Sequence, residues 1–235
     1  MSDLVSLNER TITEMVRAPS RHMLAQLESD ISEVLISKGF IEVRTPSIIS
    51  TASLEKMTIV PGHPLYKQVF FIDDKRCLRP MLAPNLYFVM RKLRDHTDGP
   101  VRIFEIGSCF RKDSRSGAHL EEFTMLNLVE LGPNKDATEA LKEYIGDVMS
   151  VTGLDYSLSA EESDIYRETL DVMIGGTEVS SGAVGPHALD LAHDVNEPWS
   201  GVGFGLERLL MLMNNKGSVK KTGRSLSYLN GAKIN

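Results

Sequence analysis

Arg111 follows an apolar run in Gly107-Ser-Cys-Phe-Arg-Lys112, and Arg208 precedes another in Gly203-Phe-Gly-Leu-Glu-Arg208. Between them, Glu178-Val-Ser-Ser181 lies in a strand-like stretch. Two fixed cations and a carboxylate can grip a nucleoside triphosphate and its magnesium. Arginine suits the task because its planar fork stays charged and binds phosphate oxygens in pairs. Gly203-Phe-Gly-Leu-Glu-Arg208 lacks the Lys-Ser/Thr of a P-loop and the third glycine of a dinucleotide fingerprint. Taken singly, each arginine is as readily a structural ion-pair residue, and Glu178 a solvated strand residue.

The other reactive types exclude more than they suggest. Cys77 and Cys109 are the only cysteines, which argues against a disulfide framework and for a reducing cytoplasm. Cys109 reads as a small buried hydrophobe. The histidines lack transition-metal spacing. At 235 residues and 42% apolar content the chain can build one large core. A net charge of -6 excludes a surface coated for nucleic acid, so DNA is not an expected partner and any RNA contact must be a local basic patch. The start Met1-Ser-Asp-Leu-Val shows no signal-peptide pattern, and no apolar run approaches the roughly 20 residues that span a bilayer.

These side chains need elements to hold them. Residues 1–18 read as a leader or partial helix ahead of a domain over 19–235. Pro19 and Ser20 open a helix with Leu24, Leu27, Ile31 and Leu35 on one face, and Gly39 suits the position after its last turn. Residues 40–46 alternate as a strand stopped by Pro46, an edge fit to pair with a second copy. Residues 65–78 read as a hairpin turning at 73–75. Pro84 starts a helix over 85–94. Strands are expected at 101–106 and 122–131, a polar loop at 112–118, and an amphipathic helix at 137–151. Strands at 169–173 and 177–184 flank the turn Gly175-Gly176, and a last helix covers 206–213. Hairpins outnumber strand-helix-strand units. The class is therefore α+β, a mostly antiparallel sheet flanked by helices.

The strand, Phe110-Arg111, loop and strand resemble motif 2 of class II aminoacyl-tRNA synthetases, and Gly203–Arg208 with Leu-Leu resembles motif 3. The helix, strand and Pro46 resemble motif 1, the dimer-forming element. Each motif alone is degenerate; three in order are specific. The strings Leu78-Arg-Pro-Met-Leu-Ala-Pro-Asn-Leu-Tyr87, His119-Leu-Glu-Glu-Phe-Thr-Met-Leu-Asn127, Ala183-Val-Gly-Pro186, Pro198-Trp199 and Ser227-Tyr-Leu-Asn-Gly231 narrow the resemblance to the pyrrolysyl-tRNA synthetases, from about Pro19 onward.

That resemblance implies ATP-dependent ligation of pyrrolysine to its tRNA through an aminoacyl adenylate, by a cytoplasmic homodimer using ATP and Mg2+. Arg111 matches the arginine on the α-phosphate and acyl carboxylate, and Arg208 the one on the γ-phosphate. Glu178 and Ser181 match the magnesium and phosphate ligands. His119, Leu120 and Phe123 match the adenosine-holding segment. The amino-acid pocket would be Ala83, Leu86, Tyr87, Met90, Ile103, Asn127, Val129, Tyr166, Ala183, Trp199 and Gly201, with Asn127 donating to a substrate carbonyl and Tyr166 closing over the ring. Trp199 also fits simple packing, and His119 simple loop structure.

Asp113 stands where the family usually has Glu, so its contact with adenine is open. The resemblance is to members without a separate N-terminal tRNA-binding domain. Arg115, and less so Arg91, Lys92 and the basic stretch 216–224, are the candidates for tRNA contact, against the default of solvated charge. The rival readings are a related or engineered synthetase for lysine, a lysine derivative or phenylalanine, and a non-catalytic regulator that binds tRNA or amino acid.

Overall fold

The computed structural model describes residues 2–112, 119–163 and 165–234. Its helices are α1 (Ser2–Arg17), α2 (Met23–Ser37), α3 (Thr51–Lys56), α4 (Ala83–Arg94), α5 (Ala137–Thr152) and α6 (Leu206–Met213). Its strands are β1 (Ile41–Glu42), β2 (Ile48–Ser50), β3 (Arg76–Leu78), β4 (Val101–Phe110), β5 (Glu122–Leu131), β6 (Ser157–Ser163), β7 (Arg167–Ile174), β8 (Thr177–Gly185), β9 (Trp199–Gly205), β10 (Tyr228–Leu229) and β11 (Ala232–Lys233). Seven strands make one sheet in the order β1-β4-β5-β9-β8-β7-β6, antiparallel except where β1 runs parallel to β4. The expected α+β architecture is what the chain adopts.

The period of two along the central strands sorts their side chains into two layers. Phe104, Ile106, Leu126, Leu128, Val202 and Phe204 face α2, α5 and α6, meeting Leu27, Ile31, Leu35, Tyr144, Ile145, Val148 and Leu209 in one core. Ile103, Cys109, Val129 and Trp199 face the other way, toward Leu86, Tyr87 and Met90 of α4. Helix α5 is fixed at both ends: Asp136 accepts from the backbone N–H groups of Thr138 and Glu139, and Gly153 turns the chain at φ +65°. Burial holds the Cys109 thiol neutral, pushed up to about 12, which agrees with its reading as a hydrophobe.

Several boundaries differ from the sequence reading. The helix expected from Pro19 starts at Met23, because His22 takes the cap and its Nδ1 accepts from Leu24 N–H at 3.2 Å. The strand expected over 40–46 is laddered only at Ile41–Glu42. Thr45 beyond it is drawn into a side-chain network instead. The hairpin expected over 65–78 forms only at its tip: Phe71 bridges Cys77, Leu78 N–H donates to Phe70 O and Ile72 N–H to Arg76 O about the turn at 73–75, while Pro64–Gln68 is a 3-10 turn and β3 also pairs with β2. The strands β6 and β9 were not expected at all. Helix α1 is tied to β11, with Asn8 and Lys233 exchanging two hydrogen bonds of 2.7 Å.

The network at Thr45 is a buried ion pair. Arg79 Nη1 lies 2.7 Å from Glu105 Oε1, and both residues are almost fully enclosed. Glu105 also accepts from the Thr45 backbone N–H and hydroxyl, while Arg79 donates to Ser108 O and Thr45 O. Asn85 on α4 donates to Thr45 Oγ1 and Pro46 O. The pair thus joins the segment after β1, strand β4 and helix α4. Removing one member of a buried pair leaves the other charged and unmatched, at a cost of about 3–5 kcal/mol. Glu105→Ala is therefore expected to lower unfolding stability by that amount in a denaturant titration. A loss under about 1 kcal/mol would show the pair to be dispensable.

Candidate active site

One cavity of about 360 Å³ opens on the α4 side of the sheet. Its floor follows from the sequence of β9. Gly201-Val-Gly-Phe-Gly205 places glycine at alternate positions, so Val202 and Phe204 fill the helix-side core while the other face carries almost no side chain. The space left is walled by β5, β8 and α4.

At the apolar end stand Ala83, Leu86, Tyr87, Met90, Val129, Ala183, Trp199 and Gly201, with Tyr166 above. Asn127 is the amide among them; its Nδ2 donates to Val202 O at 2.8 Å. An amide carries two N–H donors and an acceptor oxygen, so this bond orients the group without exhausting it. Tyr166 meets Trp199 edge-on, ring centroids 5.6 Å apart, and burial raises its phenol well above the ordinary range. Ile103 is the expected pocket residue that the fold does not bring in. It lies on the same sheet face but one strand farther out on β4, fully buried in the core it shares with Leu86 and Met90.

At the polar end stand Arg111, His119, Leu120, Phe123, Glu178, Ser181 and Arg208. Arg111 Nε donates to Pro80 O at 2.9 Å, and its guanidinium sits 5.3 Å over the Phe123 ring. Arg208, in the first turns of α6, donates from Nη1 to Glu178 O at 2.6 Å. Burial and the charge of Asp171 raise the Glu178 carboxyl above its ordinary range, while Arg208 and Arg111 draw it back.

Glu178 and Ser181 are three residues apart, and in a regular strand they would face opposite sides. They do not, because β8 is bulged. Met173 pairs with Glu178 and Val172 with Ser180, so Val179 is an extra residue with no partner across the ladder. The phase slips by one there, Val179 turns into the core, and Glu178 and Ser181 arrive on the cavity side together. Asp171 is the cross-strand partner of Ser181; it is buried, and its Oδ1 has no hydrogen-bond partner among the described residues. A carboxylate, a hydroxyl and an orphaned carboxylate oxygen make a hard-oxygen setting that suits Mg2+.

Three features of the site escaped the sequence reading. Glu207, the penultimate residue of the 203–208 string, is buried beside the cavity and accepts the Thr124 N–H with both oxygens at 2.9 Å. Asp190 stands behind the apolar end. Arg79 shapes the loop from which Pro80 holds Arg111. No local pattern announces a buried carboxylate, since its partners come from distant strands. Asp113 and Arg115 lie outside the described residues. Among the other basic candidates, Arg91 pairs with Asp194 at 2.7 Å and Lys92 with Asp95 at 3.8 Å. Arg224 donates to Thr124 Oγ1 and lies 3.4 Å from Glu122 and 3.6 Å from Glu207.

An antiparallel sheet with this strand order, one arginine where β4 runs out and another just inside the helix after β9, defines the catalytic core of a class II aminoacyl-tRNA synthetase. Residues 6–226 match the family described as tRNA synthetases class II core domain (F). Phenylalanine--tRNA ligase alpha subunits are distant relatives. That of Listeria monocytogenes is 22% identical over 88% of this chain and 68% of its own length, and that of Streptococcus thermophilus 23% over 89% and 67%. Two solved structures of pyrrolysyl-tRNA synthetase from Desulfitobacterium hafniense are much nearer. One is 46% identical with a TM-score of 0.91, covering 98% of this chain and 83% of that one; the other, also 46% identical, has a TM-score of 0.89 over 97% and 82%. The chain belongs to the class II aminoacyl-tRNA synthetases and, within them, to the pyrrolysyl-tRNA synthetases; it is a ligase.

Proposed function

We propose that the chain ligates pyrrolysine to its cognate tRNA with ATP, through an aminoacyl adenylate, and that the two ends of its cavity divide that work. The observation that carries the reading is the continuity of one cavity from an apolar end with the Asn127 amide among its walls to a polar end holding Arg111, Arg208, Glu178 and Ser181. A long side chain ending in a ring, with one carbonyl along it, suits the chamber. A triphosphate suits the other end.

The chemistry needs no protein nucleophile. A substrate carboxylate oxygen attacks the α-phosphorus, a new P–O bond forms, and the bond to the bridging oxygen breaks to release pyrophosphate. The acyl group then passes to a terminal ribose hydroxyl of tRNA, releasing AMP. The protein contributes placement and charge. Arg111 would neutralise charge at the α-phosphate; its Pro80 bond and Phe123 contact already fix its direction. Arg208 would meet the leaving pyrophosphate. Glu178 and Ser181 would hold Mg2+, which when bound supplies further neutralisation of phosphate charge. His119, Leu120 and Phe123, which line the cavity, would hold adenosine.

The rival substrates fit less well. A phenyl ring has no use for Asn127 in an apolar chamber. A free lysine ammonium wants a carboxylate, but the one behind the apolar end, Asp190, has both oxygens engaged. Loss of an arginine or of Glu178 would favour a non-catalytic regulator; all three are present. The edge strand β1 with exposed Ile41 and Ile48 nearby supports a homodimer through this margin. An obligate interface of that kind should bury on the order of 2,000 Å² or more.

Three outcomes are expected. Arg208→Ala should slow amino-acid-dependent pyrophosphate exchange roughly 100- to 1000-fold, as loss of one preorganised charge does; exchange near the wild-type rate would refute its role. Asn127→Ala should cut the preference for pyrrolysine over phenylalanine roughly 5- to 150-fold with ATP binding intact, since a lost buried hydrogen bond costs about 1–3 kcal/mol. An unchanged preference would make Asn127 a structural amide. Sedimentation at micromolar concentration should show a dimer, and a fully active monomer would contradict the assembly.

A further inference from the structure

Asp190 lies in the 3-10 turn Ala188–His193 and is about 1% exposed. Its carboxylate has no cation within salt-bridge distance among the described residues. Three neutral donors hold it instead. The Tyr87 phenol donates to Oδ1 at 2.7 Å, the Trp199 indole N–H to Oδ2 at 2.7 Å, and the His187 backbone N–H to Oδ2 at 2.5 Å. A buried anion satisfied only by hydrogen bonds is costly to leave half-made, so it dictates where its donors stand.

Those donors include two walls of the apolar chamber. Tyr87 and Trp199 come from α4 and β9, more than a hundred residues apart in the chain, and both line the cavity. Each is clamped from a second side. His193, from the same turn as Asp190, stacks on the Tyr87 ring at 4.1 Å with an interplanar angle of 16°. Gly185 lies against the Trp199 indole so closely that an added β-carbon would come within 1.9 Å of Nε1, so the ring cannot withdraw that way. Trp199 then meets Tyr166 at 5.6 Å, which carries the constraint to the residue above the chamber. The turn is itself anchored: Val195 N–H donates to Asp190 O, and Asp194 pairs with Arg91 on α4.

We propose that Asp190 is the positioning residue that sets the shape of the amino-acid chamber, holding Tyr87 and Trp199 in one arrangement before substrate arrives and so determining which side chains fit. The proposal rests on the reading of this chamber as the amino-acid site. Asp190 touches no substrate; it acts through the two aromatic walls, as a preorganising support does.

Trp199 is the only tryptophan, so intrinsic fluorescence reads this contact directly and without any assumption about substrate. The test uses full-length Asp190→Asn, which keeps size and shape but turns one acceptor into a donor facing donors. Three results are expected together. Trp199 emission should shift. The KM for pyrrolysine in pyrophosphate exchange should rise roughly 10- to 100-fold. The KM for ATP and kcat at saturating amino acid should stay within about threefold. In a Trp199→Phe background, which lacks the indole N–H, the effect of Asp190→Asn on KM should shrink, a coupling that a general loss of stability would not produce. If Asp190→Asn fails to fold, Tyr87→Phe removes one donor only and should give a smaller rise in the amino-acid KM with the ATP KM unchanged. Unchanged emission and unchanged amino-acid KM in a folded Asp190→Asn protein would overturn the proposal, as would equal rises in both KM values. Failure of the underlying reading looks different: the wild type would show no pyrrolysine-dependent exchange while the emission shift in Asp190→Asn remained.

Discussion

One extra residue in β8 decides where the charge of this site goes. A strand presents its side chains alternately, so a carboxylate and a hydroxyl three positions apart belong on opposite faces. Val179 breaks the alternation, and the meeting of Glu178 and Ser181 on the cavity side depends on that break. Before it, Glu178 faces the cavity, where its backbone carbonyl takes the Arg208 hydrogen bond. After it, Ser181 faces the cavity opposite Asp171. Without the bulge, one of the two oxygen groups would point into the helix-side core among Val172, Val202 and Phe204, where a charge has no partner. The bulge is thus a device for collecting polar groups that a regular ladder would scatter.

The same face solves the opposite problem a strand away. A sheet packed on both sides normally fills its interior, and a cavity of about 360 Å³ must be kept open against that tendency. Glycines at 201, 203 and 205 do this without weakening the other layer, because Val202 and Phe204 still bury fully. Arg111 and Arg208 then enter from the ends of elements rather than from the floor. Both have carbonyl partners, Pro80 and Glu178, that fix the direction of the guanidinium.

Much of this was legible in the sequence, and the limits have physical causes. The helices α5 and α6 and the strand β5 fall where periodicity put them, because each has one strongly apolar face or a long alternation. Nearly all the residues assigned by resemblance to the two ends of the cavity do line it, since the motif strings carry the strand ends and helix starts with them. What failed were features set by pairing across the chain. Ile103 and Val129 are opposite each other on adjacent strands, yet only Val129 reaches the cavity; which of two neighbours is covered depends on where α4 crosses. The strand β9 was missed because three glycines in seven residues carry no strand propensity, although here they are the floor. The first arm of the hairpin expected over 65–78 yielded to a 3-10 turn started by Pro64, while its tip about 73–75 formed.

The division of labour between the ends also bears on how selectivity can change. The polar end is built from groups whose positions are tied to the main-chain ladder: the bulge, the end of β4, the first turns of α6. The apolar end is built from side chains held by other side chains, Tyr87 and Trp199 by Asp190, Tyr87 again by His193, and Tyr166 by contact with Trp199. A ladder resists substitution because each backbone bond is independent of side-chain identity. A side-chain scaffold does not, and one replacement propagates to every ring that leans on it. A protein built this way can alter the side chain it accepts while its phosphate chemistry stays in place, because the two functions share a cavity but are held by different kinds of bond.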